Sequence, residues 1–236
     1  MKNIDCGDTV SILNYGLSSQ NKIADLNKTV SAIIRQKDYH DLLECFEEIF
    51  SIAENTDIAQ LAEKEQWVEE LRTDLVKYRM ELLKESKLLQ GLRETNNLYV
   101  RQLDEEIQDA ESWLQEKKLL KQPDGRHRTE LLKKRLYELK TSRTVGESFS
   151  AQIRLSEENS IELADRIQNI LAHILPLLRG RISAETDKMS FAQIRKLLRE
   201  DVGEMGKICR EQDKISNTGS VFFDAFLEKL DRLLSG

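Results

Sequence analysis

Apolar side chains recur at strict seven-residue intervals through the middle of this chain. Leu61, Val68, Leu75, Leu82, Leu89, Leu103 and Ala110 form one row, with Asn96 as its single polar member. A second row follows three positions later through Leu71, Tyr78, Leu92, Tyr99 and Trp113, broken by Glu85 and Glu106. A straight α-helix drifts against a heptad repeat, so a stripe held this long predicts helices wrapped around one another. No proline occurs between Leu61 and Gln122, and Gly91 is the only glycine there and the expected place for a soft bend. A continuous helix over this stretch would be ~95 Å long.

The flanking patterns predict the remaining elements. Two N-terminal helices are expected within residues 8–54, the first capped by Asp8 and the second carrying Leu42, Leu43, Phe46, Ile49 and Phe50 on one side. Gly16 interrupts the first, as a bend or a close helix contact. Asn55-Thr56-Asp57 reads as a turn, and the long helix follows over 57–122. Pro123-Asp124-Gly125 is the clearest reversal in the sequence. A return helix over 126–183 would then fold back on the first, with Pro176 expected to kink or end it. C-terminal helices fill 188–236, opening with a capping box at Ser190–Gln193 and closing with an amphipathic helix from about Ser220. The expected fold is all-α: a single elongated domain, an antiparallel coiled-coil-like hairpin of long helices with smaller helices at its N- and C-terminal ends.

Composition agrees, with 33% charged residues, 6% aromatic and two prolines in 236 residues. Cys6, Cys45 and Cys209 are odd in number and far apart, which favours free thiols and a cytoplasmic setting. No leader or membrane-spanning run is read in the sequence. The net charge is −6, but its distribution is uneven. Residues 38–70 hold eleven acids against Lys64, whereas residues 117–143 hold ten bases against Asp124, Glu130 and Glu138. The basic set at the hairpin tip comprises Lys117, Lys118, Lys121, Arg126, Arg128, Lys133, Lys134 and Arg135. It offers either an anion-seeking surface for a membrane or nucleic acid, or a partner for the acidic stretch of the same or another chain. With no aromatic residue between Trp113 and Tyr137, base stacking is disfavoured and nucleic acid is not the expected partner.

Catalytic signals are poor. His40, His127 and His173 lie on separate elements at no ligand spacing, and no Gly-rich phosphate loop follows a strand, so neither a metal site nor a cofactor is expected. The return helix carries one polar break, between Lys140 and Ser160. There Arg143 and Arg154 share a face with Glu147, Ser150 and Glu158, and Gln152 and Asn159 lie nearby. The guanidinium groups would suit an oxyanion, or would pair with Glu147 and Glu158 at i,i+4. Asn96, in a core row, is expected to fix register. The apolar stretch 161–178 is expected to bury against the first two helices.

Residues 139–178 resemble the toxic anion resistance (TelA) family of bacterial tellurite-resistance clusters. Leu139, Arg143, Gln152-Ile153-Arg154-Leu155, Asn159, Ile167-Gln168 and Ile174-Leu175-Pro176-Leu177 carry the resemblance, and Ile4-Asp5, Asp8, Ser11-Ile12, Tyr15-Gly16, Gln20 and Ile23 are similar to the family's opening helix. It spans residues 4 to 182. The resemblance implies a cytoplasmic, all-helical bacterial protein of the stress response, associated with resistance to tellurite and similar oxyanions, without catalytic residues. Arg143, Gln152, Arg154 and Asn159 match the family motif and are the candidate binding residues. Expected partners are proteins of a stress-response or envelope-associated complex. Self-association and a membrane surface remain open.

Overall fold

The heptad row is the seam on which this protein is built. The computed structural model describes residues 8–35, 42, 45, 46, 48–51, 65–115, 124–182 and 191–216; among these every regular element is helical and none is a strand. In chain order they are α1 (Thr9–Asn14), α2 (Leu17–Arg35), α3 (Glu65–Gln115), α4 (Gly125–Asn169), a π-helical turn (Ile170–Ile174), α5 (Leu175–Ile182) and α6 (Phe191–Ser216). Residues 42, 45, 46 and 48–51 are also helical. The turn at 55–57, Leu61, Pro123, Ser190 and the closing helix from Ser220 lie outside the described residues.

Val68, Leu75, Leu82, Leu89, Asn96, Leu103 and Ala110 are all buried. In the second row Leu71 is buried, and Tyr78, Leu92, Tyr99 and Trp113 are half-buried. Burying a leucine contributes about 1.5–3 kcal/mol, so the first row alone outweighs any surface pairing along the helix. α3 runs through Gly91 without interruption for 51 residues.

The helices assemble into two compact units, Met1–Ile33 with Leu89–Arg154, and Ile34–Leu88 with Leu155–Gly236. Both long helices contribute to each unit. In the first unit, α3 and α4 run antiparallel: Ala110 clusters with Leu132, and Leu103 with Leu139, so numbers fall along one helix as they rise along the other. The reversal agrees with the expected hairpin. Asp124 has φ +57, a left-handed conformation that Asp tolerates, and its carbonyl accepts the Arg128 N–H at 3.1 Å as α4 begins.

The opening helix is divided in two. The Asp8 carboxylate accepts the Val10 and Ser11 N–H groups at 3.2 Å and caps α1. Tyr15-Gly16 then separates α1 from α2. Gly16 is both bend and close contact, for it has φ +67 and a Cβ there would stand 2.7 Å from Leu139 Cδ2. Ile12 and Ile23 enter the cores formed by α3 and α4.

The Asp8 cap has a pH signature. The Val10 N–H bond, followed by the Ser11 N–H and hydroxyl bonds and the charge of Arg128, holds its carboxyl below the ordinary 3.8. A depressed carboxyl stabilises the folded state above its unfolded value and loses that contribution as pH falls through the folded one. Acidification below 3.8 is therefore expected to fray α1. In an NMR acid titration the Val10 and Ser11 amides should shift together, with a midpoint below that of an unstructured Asp.

The second unit has a larger apolar core. Leu42, Phe46, Ile49 and Phe50 meet Val68, Leu71 and Leu75 of α3, Leu163, Ile167, Ile170, Ile174 and Leu178 of the return arm, and Ile194, Leu198, Val202 and Met205 of α6. The apolar stretch 161–178 is thus core, with His173 on its exposed side. Pro176 does not end the arm, so of the two expected outcomes, a kink or a stop, the stop is corrected. A π-helical turn immediately precedes it, in which the Leu175 N–H bonds the Ile170 carbonyl five residues back. The wider turn relaxes the carbonyl that a proline ring would strike, and α5 continues to Ile182.

Candidate binding site

The residues that match the toxic anion resistance motif are divided between the two units. Arg143 lies in the first unit, where its Nε meets Asp104 Oδ1 at 2.6 Å and its Nη2 meets Glu147 Oε1 at 3.0 Å. The i,i+4 pairing expected from sequence is present, and α3 supplies a second carboxylate that the sequence did not reveal. Gln152 and Arg154 are exposed on α4 in the same unit. Asn159 is buried in the second unit, where its Nδ2 donates to Gln212 Oε1 at 3.1 Å.

The basic tip is also redistributed. Lys117, Lys118 and Lys121 lie outside the described residues. Arg126 and Lys134 are exposed, and Lys133 pairs with Glu130 at 2.9 Å. Arg135 is not part of an exposed tip. It is buried, donating from Nε to the Tyr15 carbonyl at 2.7 Å and from Nη1 to Glu138 at 2.8 Å. Arg128 acts electrostatically on Asp8. Arg135 therefore holds the α1–α2 elbow, and Arg128 favours the charged Asp8 cap at the start of α1. A little further on, Lys140 pairs with Glu111 at 2.6 Å. Among the described residues, Lys133, Arg135 and Lys140 meet carboxylates of α3 and α4.

Each unit holds a polar cluster marked by an acid that breaks the second heptad row. In the first unit, Ser19 donates its hydroxyl to Glu106 Oε1 at 3.0 Å and Tyr15 donates its hydroxyl to the Glu106 carbonyl at 2.9 Å. Gln20 reaches Ser142 at 2.8 Å. With Arg135, these bonds dock the elbow onto the long helices. In the same unit Asn96 donates to the Gly146 carbonyl at 2.8 Å and to Ser150 at 3.2 Å, pinning the register of α3 on α4. Gly146 permits this approach, since a Cβ there would lie 2.8 Å from Val100 Cγ2.

In the second unit, Ser160 donates to Glu85 at 3.3 Å and to the Ser156 carbonyl at 2.9 Å. Gln212 accepts from Asn159 and donates to Ser156 at 2.9 Å. Ser156, Asn159, Ser160 and Gln212 are all buried. Gln212 thus acts as a two-ended pin between α6 and α4. Gln212→Ala should cost about 1–3 kcal/mol in urea unfolding, because it takes a partner from two buried groups at once.

Cys45 and Cys209 form no disulfide and are buried in the second core. Among the described residues no group of three or more His, Cys, Asp or Glu side chains could hold a metal ion, and no helix is long and apolar enough to cross a membrane. The fold and its clusters define an all-α helical-bundle protein with buried polar pins. No family model matches the chain, and no curated protein or solved structure matches it either.

Proposed function

We propose that this chain is a non-enzymatic helical scaffold that works through protein contacts, in the cytoplasm and stress response of a bacterium, as its resemblance to toxic anion resistance proteins implies. The reading is supported by one observation above the others: an uncharged, partly apolar strip on the solvent side of α4. Tyr137 is 73% exposed and Val145 is 49% exposed. Thr141, Thr144, Ser148 and Ala151 fill the same exposed face at helical spacing. The Thr141 and Thr144 hydroxyls bond back to the carbonyls of Tyr137 and Lys140 at 3.0 and 3.1 Å, so their donors are already used within the helix. In a chain that is 33% charged, a solvent face without charge favours contact with another protein over solvation.

The reading is tested by affinity co-purification from bacterial extract with the intact chain and a Tyr137→Glu/Val145→Glu variant. Both substitutions are exposed, so the circular dichroism of the variant should match the parent. Loss of co-purifying proteins with folding intact supports the scaffold reading. An identical set of partners, or no partner for either form, ends it.

A further inference from the structure

The outer face of α3 in the second unit mixes exposed aliphatic and cationic side chains. Val76 is 40% exposed, and Met80 and Leu88 are each 51% exposed. Lys77, Lys84 and Lys87 are exposed among them. At about 100° per residue, these six positions share an arc of about 120°, on the side away from the buried Leu75, Leu82 and Leu89. From Val76 to Leu88 the face runs for about 18 Å of helix axis.

The charge of this arc is one-sided. The protein carries a net −6, yet the arc holds three lysines and no acid. Glu81 stands beyond its edge, and Glu85 accepts the Ser160 hydroxyl. Glu69, two turns earlier, is taken up by Arg72 and Arg179. Among the described residues no ion pair reaches Lys77, Lys84 or Lys87. Lys84 and Lys87 are like charges at i,i+3, which oppose each other in the free protein. The aliphatic side chains beside them gain by leaving water.

We propose that this face lies on an anionic lipid surface. A convex helix face offers a peptide no cleft, but it meets a flat surface along its whole length. Val76, Met80 and Leu88 would enter the boundary between headgroups and acyl chains. The lysine stems lie along the apolar strip while their ammonium groups reach the headgroup phosphates. Lysine serves here as a point charge in the field of a surface, without the two-pronged geometry that pairs a single carboxylate. No described helix is long and apolar enough to cross a membrane, and a peripheral seat of this kind needs none. The face is separate from the α4 strip, and neither reading depends on the other.

The test is flotation of the full chain with vesicles of phosphatidylcholine alone and with phosphatidylglycerol added, at low and at high salt. Binding to the anionic vesicles is expected, weakened by salt. Partitioning should fall at least about tenfold in a Lys77→Gln/Lys84→Gln/Lys87→Gln variant, and also in a Val76→Ser/Met80→Ser/Leu88→Ser variant. All six positions are exposed, so both variants should keep the circular dichroism of the parent. A Lys133→Gln/Lys134→Gln variant in the basic stretch of α4 should bind as the parent does. Absence of binding to anionic vesicles, equal binding to neutral ones, unchanged partitioning of either triple variant, or equal loss in the α4 variant would overturn the proposal. Binding of poly-glutamate without binding of vesicles would assign the face to an acidic protein segment and overturn it as well.

Discussion

Leu75→Ala should destabilise the protein by about 3–5 kcal/mol, whereas Met80→Ala, five positions further along the same helix, should change stability by no more than about 0.5 kcal/mol. Leu75 is 0% exposed and sits in the second core among the apolar side chains of the return arm and α6, while Met80 is 51% exposed. The leucine loses its transfer free energy and leaves a cavity that four helical segments must close. The methionine side chain is largely in water in both the folded and the unfolded state, so its truncation changes little. Urea unfolding of the two variants against the parent measures the difference. Equal, small effects would mean that the heptad row does not form the interior.

Gly16→Val should cost about 2–4 kcal/mol, and the loss should be concentrated at the N-terminus. The position is strained twice for any larger residue. Its φ of +67 is least tolerable to a β-branched side chain, and the space for Cβ is already taken by Leu139 Cδ2 at 2.7 Å and Glu106 Oε2 at 2.9 Å. Both neighbours are fixed: Leu139 is a buried core residue, and Glu106 holds Ser19. The elbow would have to lift to make room, breaking the bonds of Tyr15, Ser19 and Arg135 together. Hydrogen exchange should accordingly show α1 and α2 losing protection well before α3 and α4. Uniform loss across all four helices would show that the elbow is not an independent latch.

The distinction between these two positions also shows what the sequence could reveal. The heptad row was legible because burial repeated at a fixed period, and each leucine in it needed no knowledge of its partner. Asn96 stood out as a polar residue in that row, and its role as a register pin could be stated without knowing that Gly146 and Ser150 receive it. Glu85 and Glu106 were visible too, but only as interruptions. Their meaning depends on Ser160 and Ser19, and Ser19 lies 87 residues from Glu106. Arg135 was misplaced for the same reason. Within a run of bases it reads as one more surface charge, and only the folded elbow brings the Tyr15 carbonyl to it. The candidate binding residues were chosen by position along one helix. Helical spacing cannot tell that Arg143 is already held by Asp104, nor that Asn159 is directed into the interior. Gln212 carried no signal at all, since a lone glutamine on an amphipathic helix is ordinary until Asn159 and Ser156 meet it.

The single π-helical turn has a geometric effect beyond easing Pro176. Ile170, Ile174 and Leu178 are spaced four residues apart, and all three are buried in one core. In a helix of 3.6 residues per turn, each such step overshoots by about 40°, so two of them would swing the third side chain well around the barrel of the helix. Closing one turn over five residues slows that rotation where the overshoot would accumulate. The turn behaves as a phase corrector: it lets a sequence written with the wrong period keep its isoleucines and leucine pointing the same way.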